Sequence, residues 1–162
     1  MTEPVDQYRA ARAQKVARLR ELGADPFGTI FAPTGSIVAA REFAPAQVDG
    51  DVQPRGPEVR LAGRIGNLRK AGGKLFFATL YDRSRGEAYQ AQRLAGVADL
   101  DDAEAKKARG IQLYLELGAL GPEQWEVVKA LDLADWVGVE GAVGRTRTGE
   151  VSVFVARLTV LG

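Results

Sequence analysis

Cysteine and histidine are both absent from this chain of 162 residues, and each absence closes off chemistry. Without cysteine there are no disulfides, no thiol nucleophile and no thiolate zinc site. Without histidine the commonest general base near neutral pH and the commonest metal ligand are missing, so most familiar hydrolase constellations are excluded. No apolar run approaches the ~18 residues of a membrane span, and the opening MTEPVDQYRAAR lacks the apolar core of a signal peptide. Aromatic residues make up only 7%, and 22 basic residues against 21 acidic leave a net charge of +1, too little to announce a nucleic-acid binder by itself. What is present is a globular composition, 46% hydrophobic and 27% charged. The length fits one compact domain with some extra, able to bury about 70% of its unfolded surface. The profile is that of a small cytoplasmic protein that binds something.

The charge is unevenly placed. Between Val5 and Gly23 stand Arg9, Arg12, Lys15, Arg18 and Arg20 against Asp6 and Glu21. Between Arg60 and Lys74 stand Arg60, Arg64, Arg69, Lys70 and Lys74 with no acid at all, whereas from Ile111 onward seven acids outnumber four bases. Arginine exceeds lysine 16 to 6, which favours planar, stacking or bidentate contacts. A solvated surface with chance clustering would give a similar picture.

Residues 5–23 are rich in helix formers, free of proline, and followed by Gly23 and Asp25-Pro26, which predicts a helix and its stop. Val5, Tyr8, Ala11, Val16, Leu19 and Leu22 fall in one arc, but Arg12 and Lys15 fall there too, so their stems are expected to snorkel along the buried edge. Residues 24–57 hold five of the seven prolines and read as an irregular connection with one short helix near Ile37–Phe43. After Pro57 the period changes to two. EVRLAGRIGNL, KLFFATLYD, IQLYLEL, WVGVEGAV and EVSVFVARLTVL read as five strands. AGG at 71–73 is a turn, PEQWEVVKAL is a helix with Pro122 near its start, and GRTRTG is the last hairpin turn. Five strands with a helix between the third and fourth, preceded by a helical arm, is the layout of an OB-fold Greek-key barrel, whose ligand face lies over the second and third strands. The predicted division is 1–57 for the helix and irregular connection and 58–162 for the barrel. An insertion at about 83–109 interrupts the barrel, far longer than a hairpin needs. Within it DLDDAEAKKA is expected to form a short helix capped by Asp101 or Asp102.

Enzyme motifs fail. GGKL at Gly72–Leu75 has Leu75 where a phosphate loop needs Ser or Thr, there is no GxGxxG, and acid pairs such as Asp101-Asp102 or Asp132/Asp135 read as solvated or capping groups. A binding constellation is better supported. Strand alternation puts Phe77 on one face with Leu75, Thr79 and Tyr81, and Phe76 with Leu80 on the other; Gln112 and Tyr114 share a face of the third strand. If pairing sets that face beside Phe77, a ring, an amide and the cations Arg69, Lys70 and Lys74 converge, as single-stranded nucleic acid requires. The alternative is that Phe76 and Phe77 are both core.

Four stretches carry a resemblance: RAQKVARLRELGADPF at Arg12–Phe27, VRLAGRIGNLRKAGGKLFFATLYD at Val59–Asp82, GIQLY at Gly110–Tyr114, and DLADWVGVEGAVGRTRTGEVSV at Asp132–Val153. In order and over roughly half the chain, they resemble the N-terminal anticodon-binding domain of class II lysyl-tRNA synthetases. The resemblance implies that Phe77 stacks on the central anticodon uridine, that Gln112 reads that base, and that Glu150 joins the recognition. It implies an arginine ahead of the GGK turn, Arg69 or Lys70 by spacing, with Arg69 the better chemical match because lysine lacks a planar guanidinium. Arg64 and Lys74 complete the expected nucleic-acid-binding set; no catalytic or metal residue is expected. The implied partner is the anticodon stem-loop of tRNA-Lys, with a homodimer through the full-length synthetase and no membrane. No cofactor is expected for this chain; ATP and Mg are implied only for a catalytic domain the sequence does not resemble. The competing reading is a stand-alone OB-fold that holds single strands without base specificity.

Overall fold

The structure, a computed structural model, describes residues 4–27, 29–50, 52–96 and 110–162. The elements are α1 (Pro4–Glu21), α2 (Ile37–Arg41), β1 (Arg55–Lys70), β2 (Leu75–Tyr81), α3 (Ser84–Leu94), β3 (Ile111–Glu116), α4 (Leu117–Lys129), β4 (Trp136–Arg145) and β5 (Val151–Val160). The strands close into a barrel in the order β1-β2-β3-β5-β4, antiparallel throughout except for the parallel β3–β5 pair. With its helix between β3 and β4, the chain is an OB-fold.

Alternation decides the inside. Leu61, Leu80, Leu113, Val137, Val139 and Val153 are all essentially inaccessible, each on the inner face of its strand. One end of the barrel is covered by α4, whose Trp125 ring packs on Phe76 at 5.1 Å and 60°. A left-handed Gly121 (φ 81°) splits α4 into a first turn and the longer run that Pro122 opens.

Four features depart from the sequence reading. β1 begins at Arg55 rather than after Pro57, and the register shift between Arg55 and Glu58 lets the proline sit in a strand without a ladder hydrogen bond. The expected apolar arc of α1 is not a packing face: Leu19 is buried, but Val5 and Tyr8 are 55% and 73% exposed. Lys15 does not snorkel along a buried edge; its Nζ reaches Asp135 at 2.6 Å and Asp132 at 3.0 Å, pinning α1 to the turn before β4. The first part of the insertion is a helix, α3, which the sequence did not announce. Asp82 organises it, accepting from the Ser84 and Ile37 backbone N–H groups at 2.9 Å each, so one carboxylate ties α3 to α2. The helix expected at DLDDAEAKKA lies outside the described residues.

Candidate nucleic-acid interface

A second register shift, between Ile65 and Asn67, sets the geometry of the site. Before it, inward Ile65 faces Leu80 and outward Arg64 faces Tyr81; after it, Asn67 faces Thr79 and Arg69 faces Phe77. The extra residue, Gly66, inverts the phase of the strand end, so Arg69 shares the outer face with Phe77 while Lys70 falls opposite Phe76. Of the two residues that spacing leaves open, the fold sets Arg69, not Lys70, beside Phe77. The Arg69 guanidinium stands 5.2 Å from the centre of the Phe77 ring, within reach of a cation–π contact.

The outer faces of β1, β2 and β3, with the β4–β5 loop, enclose a cleft of about 340 Å³. Arg69, Phe77, Gln112 and Glu150 all line it, together with Asn67, Thr79, Tyr81 and Thr148. Phe77 is therefore not core; its neighbours Ala78 and Leu80 on the alternate face are. Phe77 meets Tyr114 edge-on at 5.5 Å, and Tyr114 meets Phe154 at 4.8 Å, making an aromatic row across β2, β3 and β5. The Arg55 guanidinium closes that row, 3.0 Å from the Phe154 centroid. Burial draws the Arg55 pKa below its ordinary value, while Tyr114 and Glu116 oppose the shift.

Gln112 is oriented from behind. Ser152, buried and directly across the parallel pair, donates its hydroxyl to Gln112 Oε1 at 3.1 Å, and the Glu150 main-chain carbonyl is a second acceptor at 3.3 Å. With its oxygen engaged, the amide keeps its N–H donors for the cleft. Glu150 comes from the short loop after β4. Its backbone N–H is held by the Thr146 hydroxyl at 3.2 Å, and Gly149 turns the chain at φ 88°.

Arg41, which the sequence did not point to, stands behind the cleft, bound to the lining residue Gly110. It comes from α2, donates to the Gly110 carbonyl at 2.8 Å, and lies in the field of Glu150. Burial lowers its pKa from the ordinary value, the attraction of Glu150 opposes that, and Arg145 adds to the lowering; arginine stays charged near neutral pH regardless. A lone arginine in a proline-rich connection carries no pattern, and only the fold brings it beside β3. Three expected residues stand apart from the cleft. Arg64 packs against Trp136 at 5.1 Å, Lys70 lies at the β1 end opposite Phe76, and Lys74 lies in the turn before β2.

No family model matches the chain. Among curated proteins it is 36% identical over 159 residues to a lysine–tRNA ligase of Moorella thermoacetica, covering 98% of this chain and 26% of the relative. A lysine–tRNA ligase of Syntrophomonas wolfei is 31% identical over 157 residues, covering 97% and 25% respectively. One of Streptococcus pneumoniae is 30% identical over 159 residues, covering 98% and 27%. The chain spans about a quarter of the length of these relatives.

Proposed function

We infer that this chain, homologous along almost its whole length to about a quarter of the lysine–tRNA ligases, is the part of such an enzyme that reads the tRNA anticodon. The observation that carries the reading is the convergence of Arg69, Phe77, Gln112 and Glu150 on one cleft. The chemistry of that set suits a uridine. A base laid on the Phe77 ring gains about 1–3 kcal/mol of stacking, with Arg69 close enough to add a charge contact. Uracil offers an N3–H donor between two carbonyl acceptors. The Glu150 carboxylate accepts from N3–H, and the Gln112 amide N–H donates to a carbonyl. Cytosine presents N3 as an acceptor and an amino group at C4, so it would set a lone pair against the carboxylate and lose that bond.

In this reading attachment of lysine, with its ATP and Mg, belongs to the portion of the ligase beyond this quarter, a homodimer forms through the full-length ligase, and the setting is the cytoplasm. Among the described residues no helix is long and apolar enough to cross a membrane. The test is a titration of the chain with a lysine-tRNA anticodon stem-loop and with one whose central uridine is cytidine, at one fixed salt concentration because phosphate contacts alone shift affinity by orders of magnitude. Weaker binding to the cytidine stem-loop is expected. Equal binding to both would leave an OB-fold that holds single strands without reading them.

A further inference from the structure

The far wall of the cleft is Tyr81, and its setting is unusual. A Cβ placed on Gly66 would collide with one edge of the ring (Cδ2 and Cε2), and one placed on Gly110 would collide with the opposite edge (Cδ1 and Cε1). Two glycines, one in β1 and one just ahead of β3, therefore clear a slot in which the ring lies broadside, spanning from β1 to the start of β3. The Arg85 guanidinium, from the first turn of α3, sits 4.3 Å above the ring centroid. Arg85 is exposed and makes no ion pair among the described residues. The nearby Asp82 carboxylate is occupied by the Ser84 and Ile37 backbone N–H groups. The pair is thus a planar cation piled on a fixed aromatic ring, with charge and edge donors directed at solvent beside the cleft.

We propose that Tyr81 and Arg85 form a second nucleotide subsite, which holds the nucleotide next to the one read in the cleft. Phe77 and Tyr81 are four residues apart on one strand, roughly 13 Å at the strand rise, too wide for one base to touch both rings. A neighbouring base stacks on the Tyr81–Arg85 pile, and the guanidinium edge takes the phosphate that links the two nucleotides. The long connection between β2 and β3 then has a purpose in α3: it delivers Arg85 over a ring that the sheet alone leaves bare.

This inference rests on the anticodon reading above, and one experiment separates their fates. The uridine and cytidine stem-loops are titrated against the unaltered chain, Arg85→Met, Arg85→Lys and Tyr81→Leu, over a range of salt. Arg85→Met keeps an aliphatic cover on the ring, so the fold is retained, as a thermal melt will verify. We expect Arg85→Met to weaken binding to both stem-loops by about fivefold and to lower the salt slope by about 0.7, the loss of one phosphate contact. Arg85→Lys should restore the slope but only part of the affinity, and Tyr81→Leu should cost about tenfold. Discrimination between uridine and cytidine stays unchanged in the two Arg85 variants, since Arg85 is not among the residues that line the cleft. If the unaltered chain discriminates and the variants bind as tightly as it does, the second subsite is refuted and the anticodon reading stands. If the chain binds both stem-loops alike and the variants still weaken, base reading fails and the subsite survives as a single-strand contact. Absence of binding by the unaltered chain would overturn both.

Discussion

At the scale of single residues, the outer face of β2 separates binding from folding with unusual clarity. Phe77 contributes its ring to the cleft, while Ala78 and Leu80, one and three residues further on, fill the barrel interior. Phe77→Ala is therefore expected to weaken stem-loop binding by about 1–3 kcal/mol while leaving the denaturation midpoint close to that of the parent. A collapse of folding cooperativity would put the ring in the core instead. Gln112→Ala is expected to narrow the gap between the uridine and cytidine stem-loops rather than to abolish binding, since stacking on Phe77 survives it. An unchanged gap would remove Gln112 from base reading. A different kind of residue effect is found at Ala134. Its φ of 73° is left-handed, held there because its N–H donates to the Ile65 carbonyl at 2.7 Å in the turn that leads into β4. Ala134→Gly should stabilise the chain by about 1 kcal/mol, the strain a Cβ carries in that conformation, as read by urea denaturation.

At the scale of elements, α1 is held by charge more than by apolar contact. Leu19 is its buried anchor, and Lys15 reaches both Asp132 and Asp135, with side-chain exposures of 21% for the lysine and 16% for Asp135. Lys15→Met should raise amide exchange along α1 by severalfold and leave the strands protected; equal loosening of helix and barrel would show that the arm is part of one cooperative unit. The same elements mark what could be read from residue order alone. The strands were legible because alternation of Val59, Leu61 and Ile65, or of Ile111, Leu113 and Leu115, has only one explanation in a sheet with one wet face. Phe77 and Gln112 were legible for the same reason, as outward residues of adjacent strands. The bulge at Gly66 was not, because an inserted residue has no composition of its own, and it alone determines that Arg69 and not Lys70 faces the cleft. Helix α3 was hidden by Gly86 in its first turn and by a capping carboxylate, Asp82, that reads as the end of a strand. Arg41 and Arg85 acquire meaning only from what the fold sets beside them.

At the scale of the whole molecule, a net charge of +1 means that the RNA affinity proposed above rests on local cations rather than on a general field. The logarithm of the binding constant should fall with the logarithm of salt with a slope of roughly −2 to −3, as three or four phosphate contacts give at about 0.7 each. A slope twice as steep would mean that a far larger basic surface takes part. The barrel also governs how the chain reaches its native state. β1 pairs along one half with β2, its immediate successor, and along the other with β4, far downstream, so Arg64 faces both Tyr81 and Trp136. The β1–β2 hairpin needs only a short local search, but the ring is incomplete until residues near the end of the sequence return to Arg55–Arg64. A nascent chain emerging from the ribosome can therefore set Phe77 beside Arg69 early, yet it must wait for β3, β4 and β5 before the aromatic row is complete and has a floor. Closure of this long-range seam, rather than the hairpin, sets the pace of folding, in the millisecond-to-second range typical of small barrels.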